Sequence, residues 1–146
     1  MKLSCAILHC LSNFSFLRGA SHAELLVSRA VELGYTAMAI TDECSVSGAV
    51  RAHVEAKEHS FKLIIGAEFV VHDAPAIDRL ILLAKNRNGY GDLCELITLA
   101  RSRSPKGQYL LFTSDLARLT ACIAIIVPYP LHIDAQSNST AIARHA

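Results

Sequence analysis

Apolar positions along the chain fall into short blocks that alternate with stretches of helical period. Residues 6–11 form an apolar run closed by Ser12 and Asn13, the pattern of a buried strand. Ser21 to Glu24 fits the S-x-x-E capping box. Ala23, Leu26, Val27, Ala30 and Leu33 then recur at helical spacing until Gly34 supplies a stop. Residues 37–40 give a second strand, which ends at Thr41, Asp42 and Glu43. A second helix is predicted over residues 47–59, with Ala49, Ala52, Val54 and Ala56 on its apolar side and Arg51 and Glu55 as an i,i+4 pair.

Residues 62–71 are an apolar stretch interrupted by Gly66 and Glu68, which predicts a third strand covered on both faces, as in a parallel sheet. Residues 79–84 predict a fourth. Residues 88–91 read as a turn, and a helix over residues 92–103 follows with Leu93, Leu96, Ile97 and Ala100 inward, before residues 104–107 break the pattern. Ser114 is placed to cap a short turn at residues 115–119, and residues 121–127 form a fifth strand. Strands alternating with helices at this spacing place the chain in the α/β class, built from parallel βαβ units. Beyond Pro128 the sequence turns polar through Gln136, Ser137, Asn138, Ser139 and Thr140, so residues 129–146 are expected to be an irregular tail.

Composition narrows this picture. The 146 residues suffice for one domain with a real core, and 52% hydrophobic against 18% charged residues describes a globular chain. A net charge of +1 recruits neither nucleic acid nor an anionic membrane, so contact with DNA needs a local patch or other chain. Cys5, Cys10, Cys44, Cys94 and Cys122 are scattered with no CxxC pair, which suggests packed thiols in a reducing cytosol. No apolar run approaches the roughly 18 residues of a membrane span. Ser4, His9 and Ser12 break up the N-terminal apolar run, and Arg18 sits just before the cleavage-like Gly19, Ala20 and Ser21, against an export signal. A cytoplasmic protein with no membrane partner is expected.

Three polar groups fall near the C-terminal ends of predicted strands, where parallel α/β folds gather ligands: His9, Asp42 and Glu68. Imidazole and carboxylate suit zinc, manganese or iron. Each also has a structural reading. His9 can be a hydrogen-bonded strand histidine and Asp42 a loop cap, while Glu68, inside an apolar strand, needs some partner to offset its desolvation. Both readings stay open at this point. Lys85, Arg87, Arg101, Arg103 and Lys106 form a basic cluster that reads as a solvated helix surface in preference to a phosphate contact. Cys10 reads as a packed thiol, with no base evident to activate it.

The segments LHCLSNFSFLRGAS (8–21), AITDECSVSGAVRAHVEAK (39–57), LIIGAEF (63–69) and LLAKNRNGYGDLCELITLARSRSPKGQY (82–109) resemble, in order, the start of the bacterial C-family DNA polymerases, nearest to their error-prone branch. That family opens with a PHP (polymerase and histidinol phosphatase) domain, a distorted β/α barrel. The resemblance, over residues 6–127, implies that residues 1–128 are the N-terminal part of an incomplete PHP-type barrel with parallel strands and flanking helices. Active PHP domains open with His-x-His and continue with Thr-Asp-His; Leu11 and Glu43 stand at two of those histidine positions here. The resemblance therefore implies that His9, Asp42 and Glu68 are remnant metal ligands, that Glu43 is a substitute, and that Leu11 coordinates nothing. Such a set implies at most weak binding of zinc or manganese, no catalytic residues and little phosphoesterase activity.

No Asp-x-Asp pair occurs in the sequence. In the family, the carboxylates that hold magnesium for nucleotidyl transfer belong to a palm domain further along. For the full-length parent the resemblance implies a DNA-directed DNA polymerase for damage-induced mutagenesis and translesion synthesis. The partners implied are the remainder of the polymerase chain, DNA through it, and other replication or repair proteins. A free-standing PHP-type phosphoesterase and a non-catalytic interaction module are the alternatives. The tail beyond Pro128 departs from the family pattern and suggests a shifted frame or truncated gene, with open strand edges and poor solubility expected.

Overall fold

The computed structural model describes residues 5–128; the expected irregular tail at residues 129–146 lies outside them. In chain order the elements are β1 (Ala6–Ile7), α1 (Ala23–Glu32), β2 (Ala37–Ile40), α2 (Ala49–Glu58), β3 (Lys62–Phe69), β4 (Ile77–Ala84), α3 (Arg87–Ser102), a 3-10 turn (Thr113–Arg118) and β5 (Cys122–Pro128). The five strands make one sheet in sequential order. No described helix is long and apolar enough to cross a membrane.

The parallel-sheet expectation holds for half of the molecule. β1, β2 and β3 are parallel, whereas β3–β4 and β4–β5 are antiparallel. Seven residues, 70–76, join β3 to β4, too few for the crossover that a parallel neighbour needs. The second reversal has a different cause. α3 runs back along the sheet, and the chain then descends beside it through Arg103–Asp115, Glu95–Arg118 and Asp92–Thr120 contacts. Two passes between the strands leave β5 antiparallel to β4.

Strand alternation divides the core. Phe69, Leu80 and Leu82 face Leu93, Leu96 and Ala100 of α3. Met38 and Ile40 face Val27 and Ala30 of α1 and Ala52 and Ala56 of α2. Ala39, Ile81 and Leu83, together with Ile64, Ile125 and Val127, line the face turned away from the helices. Glu68 alternates with Ala67 and Phe69, so it belongs to this last face.

Helix ends explain where the first two α elements stop. The Tyr35 amide donates to the Ala30 carbonyl and the Gly34 amide to that of Val31, with Gly34 at φ +78°, a Schellman closure. α2 closes in the same way, Phe61 to Ala56 and Ser60 to Lys57, but with Ser60 in the left-handed region at φ 51°. The capping box does not form: His22 is the N-cap of α1 and no side chain caps it. Arg51 pairs with Glu24 across the helices at 3.5 Å, not with Glu55, whose carboxylate accepts from Ser28 Oγ and contacts His59. Ser114 lies within the 3-10 turn, where Asp115 accepts the Phe112 amide instead.

α3 begins at Arg87 and includes the four residues that read as a turn. Asn86 Oδ1 caps it, accepting the amides of Asn88 at 2.9 Å and Gly89 at 3.1 Å. Gly89 is needed because the first turn of α3 lies directly on the chain before β5: a Cβ there would sit 2.2 Å from the Ala121 carbonyl oxygen. Gly91, two residues on, would meet nothing within 4 Å. The two glycines are therefore expected to respond with opposite sign. Gly89→Ala should destabilise by about 1–3 kcal/mol through overpacking, and Gly91→Ala should stabilise by about 0.5–1 kcal/mol by lowering the entropy of the unfolded chain. Urea unfolding of the two variants beside the parent checks both signs.

Candidate functional site

The ends of β1, β2 and β3 bring His9, Asp42, Glu43 and Glu68 together, and the loop between β1 and α1 folds over them. β1 is shorter than the apolar run predicts, but its pairing with β2 continues: the Thr41 amide donates to the Cys10 carbonyl at 2.9 Å and the Cys10 amide to Thr41 Oγ1 at 3.0 Å. Glu43 and Glu68 are joined by an isolated parallel bridge, with Glu68 N to Asp42 O at 3.1 Å and Cys44 N to Glu68 O at 2.8 Å. Backbone pairing thus sets three carboxylates side by side.

Asp42 has no solvent exposure, and both of its oxygens are engaged. Oδ1 accepts the Ser12 amide and the Ser15 hydroxyl, and Oδ2 accepts the Ser12 hydroxyl, all at 2.7 Å. Ser15 Oγ in turn accepts the Glu43 amide at 3.0 Å. Small residues make room for this: a Cβ on Gly48 would stand 2.9 Å from Asp42 Oδ2, and one on Gly19 would stand 2.0 Å from the Ser12 carbonyl oxygen. The loop is therefore folded onto Asp42 by neutral donors.

Glu68, also fully buried, uses charged partners. His9 Nε2 lies 2.7 Å from Oε2. Arg18 Nη1 donates to Oε1 and also to Glu43 Oε2 at 2.9 Å, so one nitrogen bridges two carboxylates. Arg79 Nε of β4 stands 3.1 Å from Oε1, within ion-pair range although outside hydrogen-bond geometry. Burial pushes the Glu68 carboxyl up, but the hydrogen bonds from His9 and Arg18 outweigh it and hold the group at about 2. The hydrogen bond to Glu68 likewise pushes Arg18 further up. The second oxygen of Glu43 accepts from the Tyr109 hydroxyl at 3.1 Å, and that hydroxyl accepts the Val70 amide at 2.9 Å. Burial first, and then the Glu43 charge, raise the Tyr109 phenol.

These commitments test whether a divalent ion fits. Among the described residues no group of three or more His, Cys, Asp or Glu side chains is disposed to hold one. The Asp42 lone pairs point at serines and an amide, and the Glu68 oxygens point at an imidazole and two guanidinium groups. An ion entering here would meet two fixed positive charges and would have to break ion pairs to reach an oxygen. The residues in this arrangement do not fit a divalent metal. Cys10 offers no alternative chemistry, since burial and then the Asp42 charge raise its thiol.

All five residues of the basic cluster are exposed, the solvated surface expected, and two of them also pair within the fold. Arg101 Nε donates to the Cys44 carbonyl at 3.0 Å, and Arg103 makes a two-pronged pair with Asp115 at 2.9 and 3.1 Å while its guanidinium lies 5.5 Å from the centre of the Phe112 ring. The sequence pattern assigned no site role to Arg18, Arg79, Ser12, Ser15 or Tyr109. A buried glutamate in an apolar strand signals that a cation must come, but nothing in the local pattern says from where.

A family model described as PHP domain matches residues 8–144, past Pro128, where the residue-by-residue resemblance ends. A protein of Bordetella parapertussis named error-prone DNA polymerase is 56% identical over 138 residues, covering 86% of this chain and 13% of its own length. One of that name from Ralstonia nicotianae is 51% identical, covering 91% of this chain and 14% of its own. The chain thus spans about one seventh of the curated relatives it matches. Among solved structures, a protein of Bifidobacterium adolescentis described as a metal-dependent phosphoesterase superposes with a TM-score of 0.55 at 21% identity, over 69% of this chain and 34% of the other. That likeness shows the fold, part of a distorted β/α barrel.

Removing either buried carboxylate should unfold the corner. Glu68→Ala leaves two guanidinium groups and an imidazole around an uncompensated void, and is expected to cost about 3–5 kcal/mol in urea unfolding. Asp42→Asn keeps one acceptor for the Ser12 amide and is expected to cost less, about 1–2 kcal/mol. A cost for Glu68→Ala inside the error of the measurement would overturn the pairing described.

Proposed function

The chain belongs to the PHP domain family, and on that premise we propose that it forms the N-terminal PHP portion of an error-prone DNA-directed DNA polymerase. The work proposed for the whole enzyme is synthesis across damaged templates during damage-induced mutagenesis. The observation that carries this reading is the similarity to polymerases of that name, 56% identical over 86% of the chain.

Within such an enzyme this portion acts as a scaffold. Two-metal phosphoryl transfer needs carboxylates free to clamp ions around the attacking and leaving oxygens. Here Asp42 and Glu68 are bound by the chain's own donors. His9, Asp42 and Glu68, with Glu43, are read as remnants of a ligand set turned to internal pairing, and no residue of this portion is given a catalytic role. Zinc or manganese would bind weakly, because either must displace Arg18 and release its carboxylates. Magnesium for nucleotidyl transfer belongs, in this reading, to the remainder of the polymerase chain. That remainder is also the main partner and the route to DNA. Contact with other replication or repair proteins, in the cytoplasm, completes the proposal.

Two measurements test it. The gene beyond the codon for Ala146 is expected to encode palm, thumb and fingers segments in one of its frames; their absence from every frame would sink the polymerase reading. Purified protein given manganese or zinc is expected to release phosphate from p-nitrophenyl phosphate no faster than the protein-free blank. Turnover that disappears in Asp42→Ala would replace the scaffold role with that of a phosphoesterase.

A further inference from the structure

The loop between β1 and α1 does more than cover the carboxylates. It turns back sharply, with the Arg18 and Gly19 amides both donating to the Ser15 carbonyl, at 3.0 and 2.9 Å, and the Asn13 amide donating to the Ser21 carbonyl at 2.9 Å. Leu17 is held in the left-handed region at φ 61°, uncommon for a branched side chain. Phe16 and Leu17 point outward, 83% and 89% exposed, so the loop gains little from burying its own apolar tip. What ties the tip down is Arg18, whose Nη1 reaches Glu43 on the strand-end bridge and Glu68 on β3.

We propose that Arg18 is a built-in counter-cation: its guanidinium supplies, from within the chain, the positive charge that Glu43 and Glu68 require, and in doing so locks the β1–α1 loop to the ends of β2 and β3. The donor chemistry fits the role. A guanidinium is planar, carries its charge at any physiological pH, and presents several N–H groups that bridge carboxylates without requiring them to converge on a point. A divalent ion needs that convergence, which this pocket does not provide. Arg79 adds a second fixed charge at the same Glu68 oxygen, Oε1, at 3.1 Å. The corner therefore holds itself together without an exogenous ion, and Arg18 positions the loop by acting through Glu43 and Glu68.

The test uses the full chain. Chymotrypsin should cleave at Phe14, Phe16 or Leu17 about tenfold faster in Arg18→Ala than in the parent, because the loop opens more often. Millimolar guanidinium chloride should slow cleavage of that variant and leave the parent unchanged, whereas added manganese or zinc should not substitute. In the parent, neither EDTA nor manganese should move the thermal midpoint. If Arg18→Ala does not fold, Glu43→Gln, on the more open limb of the bridge, should still raise loop cleavage a few-fold. Parent-like cleavage in both variants would overturn the lock. So would a parent midpoint that rises with manganese and falls with EDTA, which would mark an ion site in place of an internal cation.

Discussion

A carboxylate with no exposed surface cannot stay ionised in an apolar strand unless charge is brought to it, and Glu68 sets that condition for this fold. Its three partners come from three places: His9 just after β1, Arg18 in the loop that follows, and Arg79 on β4. The end of β3 is therefore a junction. The parallel half of the sheet, the antiparallel half and the β1–α1 loop are all tied to one side chain. Burial alone would push the carboxyl up, and the hydrogen bonds from His9 and Arg18 lower it instead.

Asp42, one strand over, meets the same requirement by different means. Three neutral donors from Ser12 and Ser15 satisfy its oxygens, and among the described residues no cation pairs with it. Neutral donors need close approach, which explains why glycines sit at 19 and 48, where a Cβ would collide with the Ser12 carbonyl or with the carboxylate itself. Both solutions draw on the same loop. Ser12 and Ser15 fold it onto Asp42, and Arg18, three residues after Ser15, reaches past them to Glu68. A loop that satisfies two buried acids has little freedom left, and Leu17 accepts an unfavourable backbone angle as a consequence.

Features that depend on neighbours in sequence were legible. The apolar blocks marked β2, β3, β4 and β5 to within a residue or two at most ends, and Gly34 marked the stop of α1. The α/β class and the PHP likeness were legible too, the first from alternation and the second from ordered segments. What depends on distant residues was not. Glycines at 89 and 91 read as a turn because the reason for one of them, the Ala121 carbonyl, lies thirty-odd residues away. Parallel pairing was overextended because the length of α3 suggested a crossover, and nothing local showed the chain descending beside that helix before β5. Glu68 announced a need for a partner, yet Arg18 is fifty positions distant and looks like any surface arginine. His9 and Glu68 meet in space, but Asp42 is turned to Ser12 and Ser15, and the lone pairs that a metal would use are already taken.

An internal cation also changes how stability responds to conditions. A domain whose corner is closed by a bound ion gains stability in proportion to the logarithm of free ion over its dissociation constant, so its folding follows metal supply. A guanidinium carried on the same chain and held against the carboxylates by the folded loop is present at a fixed, high effective concentration, and its contribution is independent of that supply. The exchange has a cost: the guanidinium holds geometry but cannot lower the pKa of a bound water or polarise a phosphoryl oxygen. In the scaffold role proposed, pairing Glu43 and Glu68 with Arg18 exchanges hydrolytic chemistry for constitutive structure. For one portion of a larger polymerase, a scaffold that folds whatever the metal supply is a coherent use of the same barrel.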